Sequence, residues 1–160
     1  MDGALTVRAA TPDDDATLLA LDTGEAGTGF PSVFARERSS FFGSAEAADT
    51  LVAEVDGSVV GYLTLTHPTR LPENAHVWSI EGLTVRPDWR GRGVARALLD
   101  EAGREAARRG GRKLSLRVLS TNPRARAAYE AAGFEVEGVL REEFVIEGES
   151  VDDVLMARPL

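Results

Sequence analysis

Cysteine is absent from the 160-residue chain, and histidine occurs only as His67 and His76. Without thiols there is no disulfide framework, no thiolate zinc site and no cysteinyl covalent intermediate, and two imidazoles are a poor basis for a metal centre. No metal is expected. Long apolar runs are also missing. Nothing reaches the roughly eighteen residues that a membrane helix requires, and Met1-Asp2-Gly3-Ala4 lacks the positive-then-apolar order of a signal peptide. A cytoplasmic protein with no membrane partner is expected. Repeats and low-complexity tracts are absent too, so residues 1–160 are expected to form one domain.

What the chain does carry is charge, unevenly placed. The net charge is -8, yet the segment from Arg86 to Arg126 holds 12 Arg and Lys against four acids, which leaves 6 basic and 22 acidic residues elsewhere. That segment is therefore +8 and the remainder -16. That one segment suits a polyanion and the rest repels one, which argues against a nucleic-acid partner, since that would need a contiguous positive surface.

Periodicity gives an α/β order of elements. Leu5, Val7 and Ala9 alternate as a first strand, and Thr11 caps a helix from Pro12 with Asp13, Asp14 and Asp15 in its first turn. A short helix is expected around Val33 to Ser39. Leu51 to Val55 and Val59 to Thr66 flank Asp56-Gly57, a hairpin signal. Val77 to Val85 alternates as a fourth strand and stops at Pro87. Val94, Ala95, Leu98, Leu99, Ala102 and Ala106 share one helical face, ending before Gly110-Gly111. Leu114, Leu116 and Val118 make a fifth strand, and Asn122-Pro123 opens a helix closed by Gly133. Three strand pieces follow, Phe134 to Leu140, Glu143 to Ile146 and Val151 to Met156.

Between the fourth strand and the long helix lies Arg86-Pro87-Asp88-Trp89-Arg90-Gly91-Arg92-Gly93-Val94-Ala95. Glycines let backbone N–H groups approach a ligand, and a helix N-terminus adds unsatisfied donors and partial positive charge. Together they suit a pyrophosphate. A Walker loop would need Gly-Lys followed by Ser or Thr, and a dinucleotide fingerprint a small residue where Arg96 stands.

With these motifs the sequence resembles the GNAT superfamily of acetyl-CoA-dependent N-acetyltransferases. The family signature is Arg or Gln, two residues, Gly, one residue, then Gly or Ala, and it is met by Arg90, Gly93 and Ala95. A second match runs Asn122-Pro123, Ala125, Tyr129-Glu130, Gly133-Phe134. The resemblance implies a single-domain GNAT-like fold: a mixed, mostly antiparallel sheet of about seven strands, about four flanking helices, and splayed fourth and fifth strands that admit pantetheine. It further implies that main-chain groups of Leu83, Thr84 and Val85 face pantetheine, and that amides of Arg90, Gly91, Arg92, Gly93, Val94 and Ala95 hold the pyrophosphate. Asn122 would meet the cofactor from the other side. Arg90, Arg92 and Arg124 would reach phosphates, whereas Arg104 and Arg108 would face solvent.

The expected chemistry is direct attack of a primary amine on the thioester through a tetrahedral intermediate. The acceptor is a small-molecule amine or a protein amino group. An amine with a pKa of about 10.4 must lose a proton before it attacks. Glu81, two residues before Leu83, is expected on the same strand face and is the candidate base, directly or through water. Tyr129 is the candidate acid for the departing thiolate, because a phenol of pKa about 10 stays protonated at neutral pH. Tyr62 is a spare acid and His76 a minor base. The N–H of Leu83 would steady the oxyanion. Phe30 and Phe34 are candidate acceptor contacts, while Trp78 and Trp89 are expected to pack. The alternative is a non-catalytic acyl-CoA sensor or interaction module. A homodimer through the C-terminal strands is also considered.

Overall fold

The computed structural model describes residues 3–23 and 38–160. Seven strands form one mixed sheet: β1 (Leu5–Ala9), β2 (Thr50–Val55), β3 (Ser58–Thr66), β4 (Val77–Val85), β5 (Lys113–Leu119), β6 (Glu135–Ile146) and β7 (Glu149–Pro159). Their spatial order is β1-β2-β3-β4-β5-β7-β6. The pairs β1–β2, β2–β3, β5–β7 and β6–β7 are antiparallel, and β4–β5 is parallel. The parallel ladder covers only Val77 to Ser79 against Lys113 to Ser115. Among the described residues there are three α-helices, α1 (Asp15–Thr23), α2 (Val94–Arg108) and α3 (Pro123–Ala131), with short 3-10 turns between elements. The helix expected around Val33 to Ser39 lies largely outside the described residues, as do Phe30 and Phe34.

The chain divides into two compact units. The first comprises residues Met1–Leu65 and Gly82–Glu101, the second Thr66–Glu81 and Ala102–Leu160. In the first, Ala10, Leu18, Val52 and Tyr62 form a buried cluster, with Leu21, Phe41, Phe42 and Val59 packed against it. Here α2 begins directly over β3. A Cβ at Gly61 would stand 2.9 Å from the Thr84 carbonyl and 3.1 Å from Val94, so only glycine permits that approach. The Asp56-Gly57 turn takes φ 49° and 78°, the two left-handed residues that a tight hairpin requires. Asp14 accepts from the Thr11 N–H at 2.8 Å and forms a two-pronged pair with Arg8, and that pairing, more than the helix dipole, explains this acid at the start of the helix.

In the second unit, Leu114, Leu116, Val154, Met156 and Phe134 are buried along β5, β7 and the start of β6. β6 corrects the expected pair of short strands, because one 12-residue strand runs through both pieces. Its register shifts between Leu140 and Phe144 around Glu142, whose φ is 51° and whose N–H donates to the Asp152 carboxylate at 2.8 Å. A bulge held by a side chain interrupts the alternation and looks like a gap in the sequence.

Candidate active site

The turn that precedes α2 is built from the chain's own breaks in regularity. Pro87–Trp89 forms a 3-10 turn, and Gly91 and Gly93 then take φ 72° and 83°. An added Cβ at either glycine would meet nothing within 4 Å, so the space in front of the turn is open. Among the described residues, the N–H groups of Gly91, Arg92, Gly93, Val94 and Ala95 have no main-chain acceptor; the first helical bond runs from the Ala97 N–H to the Gly93 carbonyl. Five consecutive donors without main-chain acceptors at a helix N-terminus, beside glycines whose Cβ positions are open, fit a pyrophosphate.

The arginines of the basic segment sort themselves by partner. Arg86, Arg96, Arg117 and Arg126 pair with Asp88, Asp100, Asp153 and Glu130, while Arg108 and Arg109 share Glu105. Arg90, Arg92 and Arg124 make no ion pair among the described residues. Arg90 instead donates from Nε to the Val85 carbonyl at 3.2 Å, and Arg92 lies 4.9 Å over the Trp89 ring. Arg112 likewise has no ion pair among the described residues. Arg108, expected to be merely solvated, is neutralised by Glu105.

β4 is not a regular strand. Gly82 takes φ 67°, so the strand bends between Glu81 and Leu83. The two-residue spacing therefore does not by itself place both on one face. The Glu81 side chain is exposed, with no hydrogen bond or ion pair among the described residues, while Leu83 and Val85 are half-buried. Thr84 is buried at 3 % exposure, which leaves only its main chain to meet a ligand.

In the second unit, Asn122 caps α3 by accepting the Ala125 N–H at 3.1 Å, which leaves its own NH2 group free of that duty. Tyr129 occupies the last turn of α3. Gly133 takes φ 91°, the Phe134 N–H returns to the Tyr129 carbonyl at 3.0 Å, and the two rings meet edge to face at 6.2 Å. The helix end thus fixes Tyr129 from both backbone and ring. Its hydroxyl has no hydrogen-bond partner among the described residues, and burial pushes its phenol above its ordinary value, so it stays protonated at neutral pH.

Of the spare candidates, the Tyr62 hydroxyl donates to the Asp22 carboxylate. The main-chain carbonyl of His76 accepts the Arg112 N–H at 2.8 Å, while its imidazole makes no hydrogen bond among the described residues. Trp78 stacks on His67 at 3.9 Å and under Arg109 at 5.3 Å. No cluster of three or more His, Cys, Asp or Glu side chains among the described residues could hold a metal ion. None of the described helices is long and apolar enough to cross a membrane.

The chain is also similar to known proteins. The model of the acetyltransferase (GNAT) family matches residues 17–134. The L-amino acid N-acetyltransferase AaaT of Escherichia coli is 39% identical over 110 residues, spanning 68% of this chain and 66% of that protein. The aminoglycoside N(6′)-acetyltransferase type 1 of Stenotrophomonas maltophilia is 34% identical over 137 residues, 82% of this chain and 87% of that protein. Among solved structures, yncA of Salmonella typhimurium with its cofactor acetyl-CoA superimposes with a TM-score of 0.77 at 21% identity, covering 98% of this chain and 94% of that one. Family model, curated relatives and fold converge, and the chain belongs to the acetyltransferase (GNAT) family.

Proposed function

We propose that this N-acetyltransferase moves an acetyl group from acetyl-CoA to a primary amine on a small molecule, and that residues 1–160 act as one catalytic domain in the cytoplasm. The observation that carries the proposal is the run of unpaired N–H donors from Gly91 to Ala95 before α2, flanked by Arg90 and Arg92 without carboxylate partners. Such a turn suits a pyrophosphate and is matched by no other donor run described above. Main-chain groups of Leu83 and Val85 take the pantetheine amides, with the Val85 carbonyl already sharing the Arg90 side chain. Asn122 and Arg124 complete the cofactor contacts.

Chemistry then needs a proton removed from the amine and one supplied to sulfur. Glu81, exposed and without a protein partner, accepts the first directly or through water. The new C–N bond forms as the thioester carbonyl becomes an oxyanion, steadied by the Leu83 N–H. As the C–S bond breaks, Tyr129 donates its proton to the thiolate, and burial of the phenol keeps that proton in place until then. The acceptor class follows from the names of the relatives, which act on L-amino acids and an aminoglycoside. The -16 outside Arg86 to Arg126 favours a cationic amine through steering. Val136, Val139 and Val145 are exposed on β6, which supports a homodimer through the C-terminal strands.

The test mixes the protein with acetyl-CoA and separate panels of amino acids, aminoglycosides and peptides with free N-termini, and follows free thiol. Amine-dependent release with at least one small molecule supports the proposal. Release with peptides alone moves the acceptor to protein amino groups. Calorimetric acetyl-CoA binding without any amine-dependent release would make the chain an acyl-CoA sensor.

A further inference from the structure

Within the first unit, four side chains close a circuit beside the bend in β4. Tyr62, on β3, is 1 % exposed, and its hydroxyl donates to one oxygen of Asp22 on α1. The other Asp22 oxygen accepts from Arg38 at 3.0 Å. Arg38 also donates to the Phe41 carbonyl and lies 5.4 Å over the Phe41 ring, which in turn meets the Tyr62 ring edge to face at 5.0 Å. Each member holds the next.

The circuit presents the Tyr62 ring to Gly82. A Cβ built on Gly82 would stand 3.4 Å from Tyr62 Cε2 and 3.7 Å from its hydroxyl oxygen. The aromatic edge thus lies at van der Waals distance from the place where a side chain at position 82 would begin. Gly82 holds a left-handed φ of 67° inside a strand, a conformation that glycine tolerates but does not prefer on its own, so neighbours must hold it. A phenylalanine would fill the same space. The hydroxyl adds an anchor, because a buried O–H bonded to a carboxylate fixes the ring where packing alone would leave it free to shift.

We propose that Tyr62, anchored by Asp22, is a positioning residue that braces the bend at Gly82 and thereby aims the main-chain N–H of Leu83. The role of that N–H as oxyanion donor rests on the proposed function; the brace itself does not. Tyr62 touches no reacting atom. Its effect falls on kcat, because an oxyanion donor acts on charge that develops only in the transition state and a small misplacement of such a group is costly.

The experiment compares Tyr62→Phe, Asp22→Ala and Asp22→Asn with the parent protein. Amide resonances of the ligand-free proteins are read first, then kcat and calorimetric acetyl-CoA affinity. Tyr62→Phe and Asp22→Ala are expected to move the Gly82 and Leu83 amide resonances and lower kcat roughly tenfold, with acetyl-CoA Kd changed less than about twofold. Asp22→Asn keeps an acceptor oxygen for the phenol and is expected to restore most of both signals. Unmoved Gly82 and Leu83 resonances in Tyr62→Phe would overturn the brace whatever the activity. Moved resonances with unchanged kcat would overturn its bearing on Leu83. Should Tyr62→Phe fail to fold, the same readings on the two Asp22 variants decide the matter. If the parent protein releases no thiol with any amine, the proposed function fails, while the resonances still decide the brace.

Discussion

The side chain of Arg90 donates to the main-chain carbonyl of Val85 at 3.2 Å, tying the phosphate turn to the last residue of β4. The arginine therefore holds the turn against the strand, and under the proposed function its remaining donors meet a phosphate. Arg90→Lys keeps the charge and loses the planar fork, so it separates the two. Arg90→Ala is expected to weaken acetyl-CoA binding roughly tenfold by calorimetry, the scale of one charge-assisted bond, with Arg90→Lys intermediate. Equal affinity for all three proteins would remove Arg90 from the site.

Gly93 and Gly57 offer a matched pair. Both hold left-handed backbone, at φ 83° and 78°, and neither has protein within 4 Å of a built Cβ. Alanine at either position should cost about 1–2 kcal/mol of stability through backbone strain alone. Only Gly93→Ala also sets a methyl group in front of the donor turn, so its acetyl-CoA affinity should fall while that of Gly57→Ala holds. Thermal melts and calorimetry read the two effects separately, and parallel loss of affinity in both would point to strain and not to the turn.

For Glu81, the base role predicts a pH signature. Glu81→Gln is expected to lower kcat/KM for the amine roughly tenfold at neutral pH. The deficit should shrink as pH approaches the amine's own value of about 10, where the acceptor needs no base. A deficit constant across that range would leave Glu81 a binding residue.

Asp14 supplies a prediction about stability. Arg8 holds its carboxyl below the usual carboxylate range against the opposing effect of burial, with the Thr11 N–H adding to Arg8. A depressed folded value means that the pair stabilises the fold fully above about pH 4 and loses that contribution as pH falls through the folded value. Asp14→Asn should therefore be less stable by about 1–3 kcal/mol at neutral pH, with the gap to the parent protein closing in acid. A gap that stays constant below pH 4 would contradict it.

Much of this was legible in sequence, and for stated reasons. β4 falls at Val77–Val85 as expected, because hydropathy alternates there until Pro87, and α2 opens at Val94 because the apolar residues keep helical spacing. The left-handed glycines at 57, 91, 93, 110 and 133 all sit where turn or cap chemistry asked for them. What escaped was long-range pairing. Nothing local tells that Arg90 turns back to Val85, or that Tyr62 reaches Asp22 across 40 residues. Gly82 did leave a signal, since a lone glycine inside a strand pattern marks a bend, and it was passed over for the alternation around it. The acceptor contacts expected at Phe30 and Phe34 lie outside the described residues.

The central claim is that the Tyr129 hydroxyl, carried on a buried ring and without a protein partner, donates the proton that releases the thiolate. Thiol release by Tyr129→Phe at saturating acetyl-CoA and amine, paired with calorimetric cofactor affinity, tests it most directly. The expected kcat is at least roughly tenfold below that of the parent protein, with acetyl-CoA Kd changed less than about twofold. Unchanged kcat, or a loss explained wholly by weaker cofactor binding, would contradict it.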